Sequence, residues 1–181
     1  MKVTMVMVSS LNGRITRGDD LKIGLWTSKE DIKFFSSLRD KFNLIVMGRK
    51  TYEAVRNEIE LKPNKLRIVL TKNPAIYSKD TVKGSLEFTD EHPAKLLRRL
   101  GLKGYKNCLL VGGSEIATLF LKLSLVDELY LTIEPRIFGK GKFMLADGDF
   151  EAHLKLISFK KLNRRGTLNL RYKIQKVRHG D

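Results

Sequence analysis

Twice in this 181-residue chain an apolar run ends on glycine and passes at once into a helical pattern. The first junction is Leu44-Ile45-Val46-Met47 before Gly48-Arg49-Lys50-Thr51-Tyr52-Glu53. The second is Cys108-Leu109-Leu110-Val111 before Gly112-Gly113-Ser114-Glu115-Ile116. Repeated strand-helix-strand units require right-handed crossovers, so the sheet they build is mainly parallel and covered on both faces. Glycine at a strand end brings bare backbone N–H groups close to a ligand, and the following helix points the positive end of its dipole at the same place. Each junction is therefore a candidate phosphate cradle, and two of them suit a dinucleotide. Arg49 and Lys50 at the first add charge for a further phosphate, which points to NADPH rather than NADH. The bland reading of Gly112-Gly113 is a plain strand-to-helix turn.

Apolar periodicity assigns the remaining elements. Strands are expected over residues 2–9, 44–47, 66–71, 86–89, 107–111 and 128–134, and helices over 27–40, 51–57, 91–100 and 114–123. Two long strands, 153–162 and 167–175, close the chain around Asn163-Arg164-Arg165-Gly166 and read as an antiparallel hairpin. The expected fold is a three-layer α/β domain over residues 1–181, with a mainly parallel central sheet, helices on both faces and an antiparallel C-terminal hairpin.

A composition of 42% hydrophobic and 30% charged residues fits a globular protein able to bury a full core. No stretch approaches a membrane span and the N-terminus lacks a signal-peptide pattern, so a cytoplasmic protein is expected. The single cysteine, Cys108, lies in an apolar run and reads as an inert core thiol. His92, His153 and His179 lack ligand spacing, so no metal is expected. The 35 basic residues against 20 acidic ones leave a net charge of +15, which favours polyanions. Local density is confined to Lys155, Lys160, Lys161, Arg164, Arg165, Arg171, Lys173, Lys176 and Arg178. No groove-reading helix, RNP-type strand or zinc spacing accompanies them, so no specific nucleic acid is expected. A solvated basic face, a phosphorylated small substrate and incidental polyanion binding remain open.

The helix beginning near Thr27 places Asp31 on the same face as Phe34, Phe35, Leu38 and Phe42, because residues three, four and seven apart line up. A carboxylate on an apolar face must be paired or must face a ligand cleft. Alternatively Ser28 is the N-cap and Asp31 merely closes its capping box.

Trp26 followed by Asp31 and Phe35, then Gly48-Arg49-Lys50-Thr51-Tyr52-Glu53, Val69-Leu70-Thr71, Val111-Gly112-Gly113-Ser114-Glu115-Ile116 and Tyr130-Leu131-Thr132-Ile133, resembles the dihydrofolate reductase superfamily in order and spacing. Ser10-Leu11-Asn12-Gly13 is similar to a turn common to its branches. Leu125-Val126-Asp127-Glu128-Leu129 and Glu134-Pro135-Arg136-Ile137-Phe138-Gly139-Lys140-Gly141 resemble the riboflavin-biosynthesis reductases of that superfamily.

The resemblance implies a dihydrofolate reductase-like fold and an NADPH-dependent oxidoreductase. It implies that Gly48, Arg49, Lys50 and Thr51 hold the 2'-phosphate and pyrophosphate, with Thr71 and Lys72 at the adenosine end. Val111, Gly112, Gly113, Ser114, Glu115 and Ile116 would wrap the pyrophosphate and nicotinamide side. Asp31 would bind the heterocycle and assist proton delivery with Thr132 as partner, and Trp26 and Phe35 would wall the substrate pocket, although both aromatics could equally be core. The riboflavin branch implies a ribosylamino-pyrimidinone 5'-phosphate as substrate, reduced to the ribitylamino compound, and a homodimer. Dihydrofolate is the alternative, but Leu25 replaces the usual proline before the tryptophan, and Lys65, which lacks a bidentate fork, stands where an arginine meets the folate carboxylate. A non-catalytic basic nucleic-acid-binding module is the reading from another class.

Overall fold

In a computed structural model that describes residues 1–175, eight strands join in one sheet. They are β1 (Lys2–Ser10), β2 (Leu44–Gly48), β3 (Leu66–Leu70), β4 (Leu86–Thr89), β5 (Asn107–Leu110), β6 (Glu128–Glu134), β7 (His153–Lys161) and β8 (Leu168–Gln175). The order is β4-β3-β2-β5-β1-β6-β8-β7. The first six run parallel, and β8 pairs antiparallel with both β6 and β7. Four α-helices accompany them: α1 (Lys29–Arg39), α2 (Arg49–Val55), α3 (Pro93–Leu102) and α4 (Ser114–Lys122). Lys176, Arg178 and His179 lie outside the described residues.

The apolar runs behave as buried parallel strands must. Every residue of β2 and β3 is buried, and alternate side chains enter two cores. Val3, Met5, Leu44, Val46, Leu66, Ile68, Cys108 and Leu110 face one core, where Leu96 and Leu100 of α3 and Phe120 of α4 cover them. Val6, Ile45, Met47, Val69 and Leu109 face the other, under Phe34, Phe35 and Leu38 of α1 and Tyr52 of α2. The sheet is therefore the middle of three layers, as expected. Burial pushes the Cys108 thiol up to about 12, which makes it inert.

Element ends moved for local reasons. Helix α1 begins after Ser28, whose hydroxyl accepts the Asp31 N–H, and α3 begins at Pro93 because the His92 side chain caps it by accepting from the Ala94 N–H. Helix α2 starts at Arg49, directly on Gly48, and a 3-10 turn over Arg56–Glu58 continues it. In the hairpin, Asn163 Oδ1 accepts from the N–H groups of Arg165 and Thr167, and Gly166 takes φ +97. Of the described residues, no helix is long and apolar enough to cross a membrane.

The turn between β2 and α2 leaves no room for a side chain. A Cβ on Gly48 would lie 2.7 Å from Ile116 Cγ1 of α4. Gly48→Ala is expected to cost about 1–3 kcal/mol through overpacking, and to cost clearly less when Ile116→Ala has already cleared the space. Urea unfolding of the two single variants and the double variant checks this; additive losses would contradict the contact.

Candidate active site

The parallel strands all end at one edge, and the two glycine junctions meet there. The Gly48 N–H donates to the Gly112 carbonyl at 2.8 Å, which is possible because β2 and β5 are hydrogen-bonded neighbours. Gly112 takes φ +83, and the Gly112–Gly113 peptide is cis. Gly48 and Gly113 are the N-caps of α2 and α4, and neither helix start has a side-chain cap. Their first-turn N–H groups are thus left for another acceptor. Lys50 and Glu115 tie the two helix starts together at 2.8 Å, while Arg49 pairs with Glu53 at 2.8 Å. Glu53 also accepts a hydrogen bond from Tyr77.

A cleft of about 1190 Å³ runs along this edge. Of the residues singled out from sequence, Gly48, Arg49, Lys50, Thr51, Thr71, Lys72, Val111, Gly113, Ser114, Glu115 and Ile116 line it, together with Asp31 and Phe35. Gly112 contributes its carbonyl to the bond with Gly48. Thr132 stands behind Asp31, buried, with its oxygen accepting from Asn169 Nδ2 at 3.0 Å. Trp26 is different. Expected as a pocket wall, it is 2% exposed and does not line the cleft. A 3-10 turn at Ile23–Leu25 leads into it, and its ring packs edge-on against Phe138 with centroids 5.2 Å apart. Burial of a large ring against another decides its orientation.

Asp31 is 6% exposed and faces the cleft from the first turn of α1. Burial pushes its carboxyl up, the Thr132 and Thr27 hydroxyls oppose that, and the nearby Glu134 charge adds to the rise; the net direction is up. The capping-box alternative is half realised. Ser28 is the N-cap, but its own N–H goes to Glu134 Oε1 at 2.8 Å, not to Asp31. Glu134, 3% exposed at the end of β6, also meets the Thr27 hydroxyl at 3.0 Å and accepts from the Thr167 hydroxyl at 2.8 Å. Burial alone would raise Glu134, but the donors from Ser28, Thr167 and Thr27 outweigh it and hold this carboxyl below its ordinary value.

Beyond α1 the cleft ends in cations. Lys65 Nζ donates to the Arg39 carbonyl at 3.2 Å and lies 3.4 Å from Asp40 Oδ1, which is also 3.5 Å from Arg39 Nε. Arg67, 6% exposed, donates Nη2 to the Glu60 carbonyl at 2.8 Å, while its Nη1 has no partner. Burial first, then the Arg39 charge, lowers the Arg67 pKa, with Glu60 opposing. Sequence reading missed Glu134, Thr27 and Arg67 as site residues. The signal for Arg67 was a guanidinium inside the apolar run Leu66-Arg67-Ile68-Val69-Leu70, and for Glu134 a carboxylate closing an apolar strand. Among the described residues no cluster of His, Cys, Asp and Glu could hold a metal ion.

Residues 1–168 match the family model of the RibD C-terminal domain. Among solved structures, the chain is similar to a pyrimidine reductase-like protein of Corynebacterium diphtheriae, with TM-score 0.78 and 18% identity over 97% of this chain and 92% of that one. It is similar to a diaminohydroxyphosphoribosylaminopyrimidine deaminase/5-amino-6-(5-phosphoribosylamino)uracil reductase of Thermotoga maritima, with TM-score 0.71 and 17% identity over 95% of this chain and 56% of that one. It is also similar to dihydrofolate reductase of Enterococcus faecalis complexed with NADP(H), with TM-score 0.64 and 21% identity over 96% and 94%. At these identities the structural likeness establishes the fold.

The raised Asp31 carboxyl carries a sign for stability. Between its ordinary value of 3.8 and its higher folded value, the folded chain holds a proton that the unfolded chain has released, so stability falls as pH rises through that window. Asp31→Asn removes the penalty. It is expected to melt above the parent at neutral pH, with the gap closing as pH drops to the ordinary aspartate range. Thermal melts across pH check this; a variant that melts below the parent by the same margin at every pH would contradict it.

Proposed function

The chain belongs to the RibD C-terminal domain family, and from that premise we propose that it is an NADPH-dependent reductase of a ribosylamino-pyrimidinone 5'-phosphate, converting the ribosylamino group to ribitylamino. The observation that carries the reading is the meeting of two uncapped glycine junctions and a buried acid, Asp31, on one cleft.

The residues present fit the cofactor. The starts of α2 and α4 have no side-chain cap, which leaves first-turn N–H groups where a pyrophosphate needs donors, and glycine at Gly48 and Gly113 lets the two starts pack closely against Ile116 and Thr51. Arg49, Lys50 and Thr51 would hold the phosphates at one junction, with Thr71 and Lys72 toward the adenosine. Gly112, Gly113, Ser114 and Glu115 would hold the other side. Arg49 and Lys50 are exposed and paired with Glu53 and Glu115; such surface pairs give way readily to a dianion. When bound, NADPH supplies a hydride to an electron-poor carbon of the substrate. Asp31, backed by Thr132, orients the heterocycle and handles the proton that must reach the neighbouring heteroatom. Phe35 forms an apolar wall. At the far end Arg67, with an unpartnered Nη1, and Lys65 suit the substrate phosphate.

Dihydrofolate reduction is the second reading, favoured by the Asp31–Thr132 arrangement and by the resemblance around Gly48-Arg49-Lys50-Thr51. The protein would work in the cytoplasm as a single reductase domain and a homodimer. Strand β7 supports the dimer: it is an exposed sheet edge throughout, carrying Leu154, Leu156, Ile157 and Phe159.

Purified protein is expected to oxidise NADPH with the phosphorylated pyrimidine. Turnover with dihydrofolate alone would reverse the choice, and salt-sensitive DNA binding without any NADPH-dependent rise in melting temperature would favour a binding module. Arg49→Ala should weaken NADPH more than NADH; equal losses would contradict the 2'-phosphate assignment. Arg67→Met should weaken the phosphorylated substrate by roughly 10–100-fold, in line with loss of a charged hydrogen bond, and leave a dephosphorylated analogue unaffected.

A further inference from the structure

Helix α1 carries the sequence of a capping box whose return bond has been taken over by another strand. Asp31, at the third helical position, gives its N–H to Ser28 Oγ at 3.2 Å, but the Ser28 N–H is satisfied by Glu134 of β6. The Asp31 carboxyl is thereby released toward the cleft.

Hydrogen counting then locates a proton. Glu134 accepts on both oxygens: Oε1 takes the Ser28 N–H and Oε2 takes the Thr167 hydroxyl. Thr167 takes Asn163 Nδ2 on its oxygen at 2.9 Å and gives its one hydrogen to Glu134 Oε2. Glu134, with a backbone N–H and a hydroxyl donating to its two oxygens, is the member of the pair better held as a carboxylate. The Thr27 hydroxyl stands 2.7 Å from Asp31 Oδ2 and 3.0 Å from Glu134 Oε1, yet it has a single hydrogen. With that hydrogen on the charged Glu134, the short contact to Asp31 is a bond only if Asp31 donates. Thr132, whose oxygen is occupied by Asn169, has its own hydrogen free for Asp31. Every contact is satisfied when Asp31 is a carboxylic acid and Glu134 a carboxylate.

We propose that Glu134 is a positioning residue which, through Thr27, keeps the proton of this carboxyl pair on Asp31 at the cleft. The inference rests on Asp31 being the acid of the reductase proposed above. It adds that Asp31 reaches the substrate as a carboxylic acid: its one O–H rests on Thr27 Oγ1 without substrate and turns into the cleft to meet an acceptor such as a carbonyl oxygen or imine nitrogen. In turnover a C=N or C=O bond gains hydride at carbon from NADPH and the Asp31 proton at the heteroatom, giving NADP⁺ and an Asp31 carboxylate that solvent then reprotonates. The charged group acting on Asp31 among the described residues is Glu134. Strand β8 and its turn present neutral Asn169 and Thr167, and Lys29, Glu30 and Lys33 of α1 are exposed.

The test is a pH titration of ¹³C-carboxyl-labelled protein without substrate, with the Asp31 signal assigned by its loss in Asp31→Asn. In the parent Asp31 is expected to titrate well above Glu134. Glu134→Gln should lower the Asp31 midpoint by about one pH unit or more, as expected for removing a neighbouring like charge, and should shift the alkaline limb of kcat/KM by the same amount. Thr167→Val keeps the carboxylate but removes one of its donors; it should lower the Asp31 midpoint less, and it carries the test if Glu134→Gln does not fold. An Asp31 midpoint at the ordinary value in the parent, or one that neither variant moves, would overturn the proposal. A moving midpoint in a protein that does not turn over the pyrimidine supports the role of Glu134 and counts against the function proposed above.

Discussion

One backbone hydrogen bond, from the Gly48 N–H to the Gly112 carbonyl, brings the two halves of the cleft together. Its net worth is about 1 kcal/mol, yet the geometry around it is restrictive. It requires β2 and β5 to be parallel neighbours ending at one level, and it requires no side chain at Gly48, where a Cβ would meet Ile116. It therefore places the uncapped starts of α2 and α4 side by side, with Lys50 and Glu115 bridging them. The strand order supplies the rest. Chain growth runs outward from β1 to β4, returns to insert β5 between β2 and β1, and then adds β6 on the far side of β1. Ligand crevices of open α/β sheets form where connections reverse in this way.

Against that rigid frame the acid pair is a place where stability is given up. Two carboxyl groups share one buried corner, and one of them is held above its ordinary value. Such a group weakens the fold at neutral pH, and it persists because β1, β6 and α1 over-determine its position: Val8 pairs with Thr132 and Ser10 with Glu134 across adjacent strands. The same register that carries Thr132 to Asp31 carries Glu134, two residues on, to the cap of α1. Arg67 is the cationic counterpart at the other end of the cleft, a buried guanidinium with an unfilled donor.

Local signals in the sequence were enough for the elements, the three layers and the two junctions, because burial on both faces writes continuous apolar runs and a strand-to-helix turn writes glycine. Helix ends moved by a few residues where caps decided them, as at Ser28 and His92. What could not be read were partnerships across long separations. Ser28 and Glu134 are 106 residues apart, and nothing local to either states that a β6 carboxylate would replace the capping-box acid. Trp26 was left open for a related reason: an aromatic beside a pocket and one packed on Phe138 have the same sequence, and its burial against that ring is a long-range contact. Arg67 was visible as a charge inside an apolar strand, but its place beside the cleft with a buried, unpartnered Nη1 depends on the packing around it.

The central claim is spatial: a phosphorylated dinucleotide spans both glycine junctions and brings its reactive ring beside Asp31. A crystal structure of the protein soaked with NADPH tests it most directly. The expected density has the 2'-phosphate at Arg49 and Lys50, the pyrophosphate against Gly113 and Ser114, and the nicotinamide next to the space in front of Asp31. Cofactor bound elsewhere, or lying with its nicotinamide away from Asp31, would contradict it.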